Sequence, residues 1–282
     1  MGSALLVVAS PHVVEAAEWT IDALAGERLV YDDNVGFTRT GEIEDFSSRT
    51  TLGVDVGGGT EVLDLSLRSR FDFTYFADES DLDSNDQRLV GGVDYRAGEL
   101  MRFGLDVDFT RDTTRTSELD DTGLFIFDNI RREALEVRPS WSFDATRVDR
   151  FSLEGEYRTV DYESDLVDYD RYGGAVVWDH EISRPSALGL TAFAARVESD
   201  TVDNRESELY GGEAGLTVEA SPRLDLRFGA GYYQATTTTD LAAEEDESGF
   251  LPSAGLTFRL APEAVLDLTY ARTVAASGSG GI

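Results

Sequence analysis

Hydrophobic and polar residues alternate along most of this chain with a period of two. From Val62 to Phe76 the odd positions read Leu63, Leu65, Leu67, Ser69, Phe71, Phe73 and Tyr75. The even positions between them read Asp64, Ser66, Arg68, Arg70, Asp72 and Thr74. Successive side chains of a β-strand point to opposite faces, so this pattern predicts a strand with one apolar and one polar face. The same alternation recurs in Leu89 to Tyr95, Met101 to Phe109, Leu135 to Phe143, Phe151 to Tyr157 and Tyr172 to Trp178. It continues, weaker, through Leu188 to Val197, and then through Tyr210 to Ala220, Leu224 to Tyr232, Phe250 to Leu260 and Ala264 to Tyr270. Thr20 to Tyr31 and Thr50 to Gly57 complete the series. About thirteen strands result, several longer than the ~5–6 residues usual in soluble sheets.

Two kinds of connection separate the strands. Tight turns are expected at Gly57-Gly58-Gly59, Ala97-Gly98, Asp144 to Asp149, Ser183-Arg184-Pro185, Ser221-Pro222 and Ala261-Pro262, where Gly and Pro favour sharp reversal. Longer, acidic connections are expected at 32–47, 77–86, 112–131, 161–170, 198–208 and 236–248. One hairpin thus repeats every ~40 residues, with long connections at one end of the sheet and short ones at the other.

A closed barrel of this many strands leaves a lumen that inward apolar side chains cannot fill. An apolar face turned outward to lipid, with a polar lumen, resolves the packing. Closure pairs every backbone group, as a bilayer demands, and strands of ~9–11 tilted residues suffice to cross it. The fold class expected is therefore all-β: an antiparallel up-and-down transmembrane β-barrel, about 13 strands in this chain and 14 or more in the full-length protein. A soluble β protein whose aromatics pair across strands is the alternative.

Alternation also assigns faces. The charged residues expected in the lumen are Asp64, Arg68, Arg70, Asp72, Arg96, Arg102, Asp106, Asp108, Glu136, Arg138, Glu154, Glu156, Arg158, Glu213, Asp225 and Arg227. A midplane Arg facing lipid would cost roughly 2–4 kcal/mol. These residues read either as a structural ladder of cross-strand ion pairs or as charge rings of a selective pore. Two aromatic girdles are expected at the membrane interfaces. Tyr75, Phe109, Tyr157, Tyr172, Tyr232 and Phe250 would form the one at the long connections. Phe143, Phe151, Trp178 and Phe258 would form the one at the tight turns.

The 282 residues include 55 acidic and 24 basic side chains, for a net charge of −31. Every basic residue is Arg. Such a chain repels a phosphate backbone, so nucleic acid is not an expected partner. No Cys is present and only 2 His, which excludes disulfides and thiolate metal sites. No cofactor or metal is expected. Asp78 to Asp86 offers alternating oxygen ligands but lacks the Gly and closing Glu of an EF-hand; solvated charge is the preferred reading over a Ca²⁺ site. Glu244 to Glu247 reads as solvated charge as well. His180 stands beside Asp179 and Glu181 with no evident nucleophile, and no enzyme activity is expected. Gly57-Gly58-Gly59 precedes no helix and is no phosphate loop.

Residues 1–17 carry a short apolar run, Ala4 to Ala9, then a small-x-small pattern at Val14-Glu15-Ala16. They read as a signal-peptide remnant cut after Ala16 or Ala17, or as a frayed N-terminal strand. The barrel domain is expected over 18–273 and a flexible tail over 274–282. An odd strand count leaves the last strand ending on the long-connection side, so truncation of the barrel is expected.

Tyr31-Asp32-Asp33-Asn34-Val35 resembles a motif of outer-membrane barrels from bacterial exopolysaccharide loci, a group that includes the β-barrel porin type 2 family. The turns Ser183-Arg184-Pro185-Ser186 and Ala220 to Leu224 are similar to its periplasmic turns. The resemblance implies an outer-membrane location and a role in polysaccharide export or surface attachment. It implies no catalytic residue. The functional expectation is a passive pore or conduit for polar solutes or exopolysaccharide. Its expected partners are outer-membrane lipid and lipopolysaccharide. A structural or adhesive barrel with a plugged lumen is the alternative.

Overall fold

A computed structural model describes residues 4–9, 12–14, 17–36, 40, 42–116, 129–164, 166–200, 204–240, 244–261 and 264–274, with side chains from Glu18 onward. Thirteen antiparallel strands follow one another as the alternation predicts. They are β3 (Ala17–Asp32), β4 (Asp45–Gly59), β5 (Leu63–Phe76), β6 (Ser84–Ala97), β7 (Met101–Thr113), β8 (Arg131–Asp144), β9 (Asp149–Tyr162), β10 (Tyr169–Ser183), β11 (Ser186–Ser199), β12 (Arg205–Ser221), β13 (Leu224–Thr238), β14 (Glu245–Ala261) and β15 (Ala264–Ala271). Two short strands, β1 (Ala4–Ala9) and β2 (His12–Val14), precede them and both pair with β3.

The strands join a single sheet in chain order from β3 to β15, which is up-and-down connectivity. Most strands extend beyond the limits predicted from the apolar pattern, chiefly toward the long connections. β4, for example, starts at Asp45 instead of Thr50. Backbone pairing continues there after the apolar residues have ended, because ladder hydrogen bonds do not depend on which side chains flank them.

The N-terminal run pairs Ala4 with Glu27 and Ala9 with Asp22. Ala16, one of the two expected cut positions, lies outside the described residues, and Ala17 opens β3. Of the tail, 275–282 lies outside the described residues.

Tight turns are built by local chemistry. Gly98, between β6 and β7, takes φ +78°, a conformation open to glycine without a Cβ clash. Thr60 and Thr146 perform the same task in two other turns. The Thr60 hydroxyl accepts the N–H groups of Val62 (3.3 Å) and Leu63 (3.1 Å). The Thr146 hydroxyl accepts those of Val148 (3.2 Å) and Asp149 (3.0 Å).

The chain divides into two compact parts. The first comprises 1–95, 104–137 and 158–168; the second comprises 96–103, 138–157 and 169–282. In the first, register places Val54 beside Ser69, Val56 beside Leu67 and Leu67 beside Gly91, a continuous and largely apolar face. Leu67 on it is 50% exposed, and Ile21, Leu52, Val54 and Leu89 are exposed too. An exposed apolar face of this extent is unfavourable in water and favourable in lipid.

The second part has the same exposed apolar face, with Phe228, Tyr232 and Leu268 on it and Phe250 72% exposed. Its opposite face departs from the expected polar lining. Leu209, Tyr233, Ala235 and Leu251 are buried there in one cluster, flanked by Phe193, Ala195 and Val274. Gly249 stands directly across from Tyr233, and a Cβ at that position would lie 2.8 Å from the ring. The absent side chain is the space the ring occupies. Phe193 and Gly211 form a second pair of this kind.

Candidate functional site

Cross-strand register decides which charges meet. Side chains of directly paired residues lie on the same face of the sheet. On the polar face of the first part, Asp55 of β4 pairs with Arg68 of β5, and Gly53 with Arg70. Arg70 in turn pairs with Arg88 of β6, and Asp72 with Asp86. Two successive rows therefore carry like charges side by side.

Each row is stabilised from its flanks. Arg70 leans back over Gly53 and holds Asp55 in a two-bond fork of 2.7 and 2.8 Å. Arg68 lies 3.7 Å from the same carboxylate. Arg88 reaches forward to Asp108 of β7 at 2.6 Å. Asp72 accepts the Thr51 hydroxyl. Asp86 accepts the Thr116 hydroxyl at 3.3 Å, and the Arg131 guanidinium lies 3.9 Å away.

These side chains line a cavity of about 540 Å³. Five of the residues expected in the lumen border it: Arg70, Asp72, Asp108, Glu136 and Arg158. Sequence reasoning missed the other charged members, Arg49, Asp86, Arg88, Asp112 and Arg132. Their parity places Asp86 and Arg88 with Asp94 and Arg96 on β6, so continuing the alternation past the apolar residues would have found them. Thr110, Thr116 and Gln87 add polar groups to the wall, and Ala134 completes it.

The remaining expected charges lie outside this cavity. Asp64 pairs across the ladder with Asp94, and Asp106 lies by Gly92. In the second part Glu156 binds Arg171 at 3.3 Å and Asp225 binds Arg259 at 2.9 Å. Arg227 donates to the Thr257 hydroxyl at 3.2 Å, Glu213 lies against Gly231, and Glu154 is exposed. Arg102 adds positive potential at Asp144, while Arg96 and Arg138 each engage a neighbour.

Long connections fold onto one another at the loop end of the first part. Arg115 donates to the Val35 carbonyl at 2.7 Å, joining the third long connection to the first. Asn129 donates to the carbonyls of Asp81 (3.0 Å) and Asp83 (3.2 Å), joining it to the second. Asp45 accepts the N–H groups of Phe46, Asp78 and Glu79. Burial pushes its carboxyl up, but the N–H donors of Glu79, Asp78, Phe46 and Ala77 together outweigh this and hold it below the ordinary value. In the Asp78–Asp86 stretch Asp83 accepts the Phe76 N–H at 2.7 Å, so this carboxylate organises backbone. The Tyr31–Val35 motif closes the first connection. Tyr31 donates to Glu44 at 2.5 Å, and Asp32 accepts the Asn34 N–H at 2.9 Å.

At the tight-turn end of the second part, Asp149 is a hub. It accepts the Thr146 hydroxyl at 2.6 Å and the Trp178 indole N–H at 3.2 Å, and His180 Nδ1 lies 2.8 Å away. The Thr146 hydroxyl, then His180, then Trp178 hold its carboxyl below the ordinary value against burial. His180 also stacks on Trp178 at 5.5 Å.

Among the aromatics expected in girdles, Tyr157 meets Tyr172 at 5.2 Å and Tyr232 meets Phe250 at 5.6 Å. Tyr31 and Phe46, at 4.9 Å, form a pair the sequence reading missed. Tyr75 and Phe151 are exposed, and Phe109, Trp178 and Phe258 half-exposed. Phe143, also half-exposed, stacks on Trp141 at 6.1 Å.

The chain combines up-and-down strands, alternating long and short connections and an exposed apolar face. This is the fold of the bacterial outer-membrane β-barrels. The ferric citrate transporter FecA superposes with a TM-score of 0.59 at 11% identity, over 88% of this chain and 43% of its own. OmpT of Vibrio cholerae gives 0.47 at 8% identity, over 91% of this chain and 94% of its own. The channel DcaP of Acinetobacter baumannii gives 0.44 at 12%, over 97% and 96%. No protein-family model and no curated protein matches the chain.

Proposed function

We propose that this chain forms a passive pore for polar solutes in the bacterial outer membrane. The observation that carries this reading is the charge-lined cavity of about 540 Å³ on the face opposite the exposed apolar one. Charges facing a lumen keep it hydrated, and apolar strands facing lipid keep the wall in the bilayer. Its surroundings are outer-membrane lipid and lipopolysaccharide. The resemblance of Tyr31–Val35 to barrels of exopolysaccharide loci supports polysaccharide as one cargo class. Acidic connections at the mouth favour cations on entry.

A second reading is a plugged structural or adhesive barrel. The contacts of Arg115 with Val35 and of Asn129 with Asp81, which draw three connections together, favour it. Single-channel recording in planar bilayers separates the two. An open, cation-selective conductance from the refolded chain is expected for the pore. A folded, heat-modifiable barrel with no conductance overturns the pore and leaves the plugged reading.

A further inference from the structure

The like-charge rows of the cavity point to what it binds. Like charges directly opposite each other destabilise a sheet. Arg70 beside Arg88 and Asp72 beside Asp86 make two such pairs in succession. Exchanging the signs within β6 would give two neutral pairs on the same backbone. The arrangement instead puts two guanidiniums in one row, each bonded to a carboxylate on its far flank (Asp55 and Asp108), and two carboxylates in the next row along the strand. Five arginines and five carboxylates line the cavity, so its wall is charge-balanced although the chain carries −31. A lone cation or a lone anion gains little from such a wall. A solute carrying both signs gains from each row.

The rows are two residues apart along β5, roughly 7 Å. Two residues of extended peptide span the same distance, about 7 Å. Arg70 donates three hydrogen bonds, to Asp55 and the Ser69 carbonyl, of the five N–H groups a guanidinium carries. Carboxylates accept up to about four hydrogen bonds, and Asp72 and Asp86 engage neighbouring hydroxyls. The volume lies within the range of small-molecule sites, about 300–1,000 Å³.

We propose that this cavity is a binding station for short zwitterions of the dipeptide class, with the carboxylate at the Arg70–Arg88 row and the ammonium at the Asp72–Asp86 row. The route by which the solute arrives rests on the pore reading; the station does not.

The test is titration calorimetry on the full chain folded in detergent. The probes are alanyl-alanine, the same dipeptide acetylated and amidated at its ends, and glucose. Alanyl-alanine should bind at least ~tenfold more tightly than the capped dipeptide or glucose, as expected for charge-assisted hydrogen bonds at both ends. Asp86→Asn and Arg88→Gln should each weaken alanyl-alanine ~tenfold and leave the capped dipeptide unchanged. Equal binding of charged and capped dipeptides, tighter binding of glucose, or no binding overturns the station, and this comparison needs only the unaltered chain. Binding of alanyl-alanine by a chain that does not conduct supports the station while removing the pore.

Discussion

Arg70 grips Asp55 diagonally across the β-ladder, and the residue it passes over is Gly53. A Cβ at Gly53 would lie 2.6 Å from the Arg70 Nη1 atom, so the fork exists because that Cβ does not. Gly53→Val should displace Arg70, and Asp55→Asn should remove its partner. Each change is expected to lower the temperature at which the folded band converts to the unfolded one when samples are heated before electrophoresis. Because both act on one interaction, the double variant should lose little more than the worse single one. Fully additive losses would show that Gly53 and the fork are independent.

Leu251 is buried on the polar side of β14, whereas its neighbour Phe250 faces outward. Truncating a buried Leu removes transfer energy and leaves a cavity, about 2–5 kcal/mol in total. Leu251→Ala is expected to lower the unfolding free energy of the detergent-folded chain, read by urea titration, by an amount in that range. Phe250→Ala should lower it less, since detergent covers the outward ring in the folded state only as it would any apolar belt. A larger effect at Phe250 would reverse the assignment of faces.

Asp149 links pH to the tight-turn end. Its carboxyl is held below the ordinary value by Thr146 first, then by His180 and Trp178. A depressed folded-state value means the stabilisation is present above the unfolded value, about 3.9, and is lost as pH falls through the folded one. The stability gap between the unaltered chain and Asp149→Asn should be constant above about pH 5 and shrink below about pH 4. Urea unfolding at pH 7, 5 and 3, followed through the emission of the three tryptophans, reads it. A gap unchanged at pH 3 would mean that the carboxylate charge is not what holds the turn.

Arg115 ties the third long connection to the first through the Val35 carbonyl, and Val35 is buried. Arg115→Ala should loosen that contact. Single-channel conductance is expected to rise, with faster proteolysis next to Arg115. Unchanged conductance together with unchanged proteolysis would show that the contact holds nothing closed.

Much of this was legible beforehand at the level of faces. Leu63 to Tyr75 alternates so strictly that β5 and its two faces follow from the residues, and the thirteen strands follow by repetition. Asp72 and Arg70 were assigned to the polar face for the same reason. What the pattern did not disclose is who meets whom. It did not place Arg70 beside Arg88, or send Arg70 over Gly53 to Asp55. The buried group of Leu209, Tyr233, Ala235 and Leu251 was also missed, because Tyr232 and Phe250 dominate the apolar signal there while Tyr233 sits on the other parity.

The physical reason lies in the period of the pleat. Alternation is local, and two residues of chain suffice to put side chains on opposite faces. Sliding one strand past the next by two residues preserves every face and changes every partner. The sequence by itself therefore determined the strands, their faces and the alternation of long and short connections. Only the tertiary structure, through register between strands, decided the like-charge rows, the Arg70–Asp55 fork and the cavity they border.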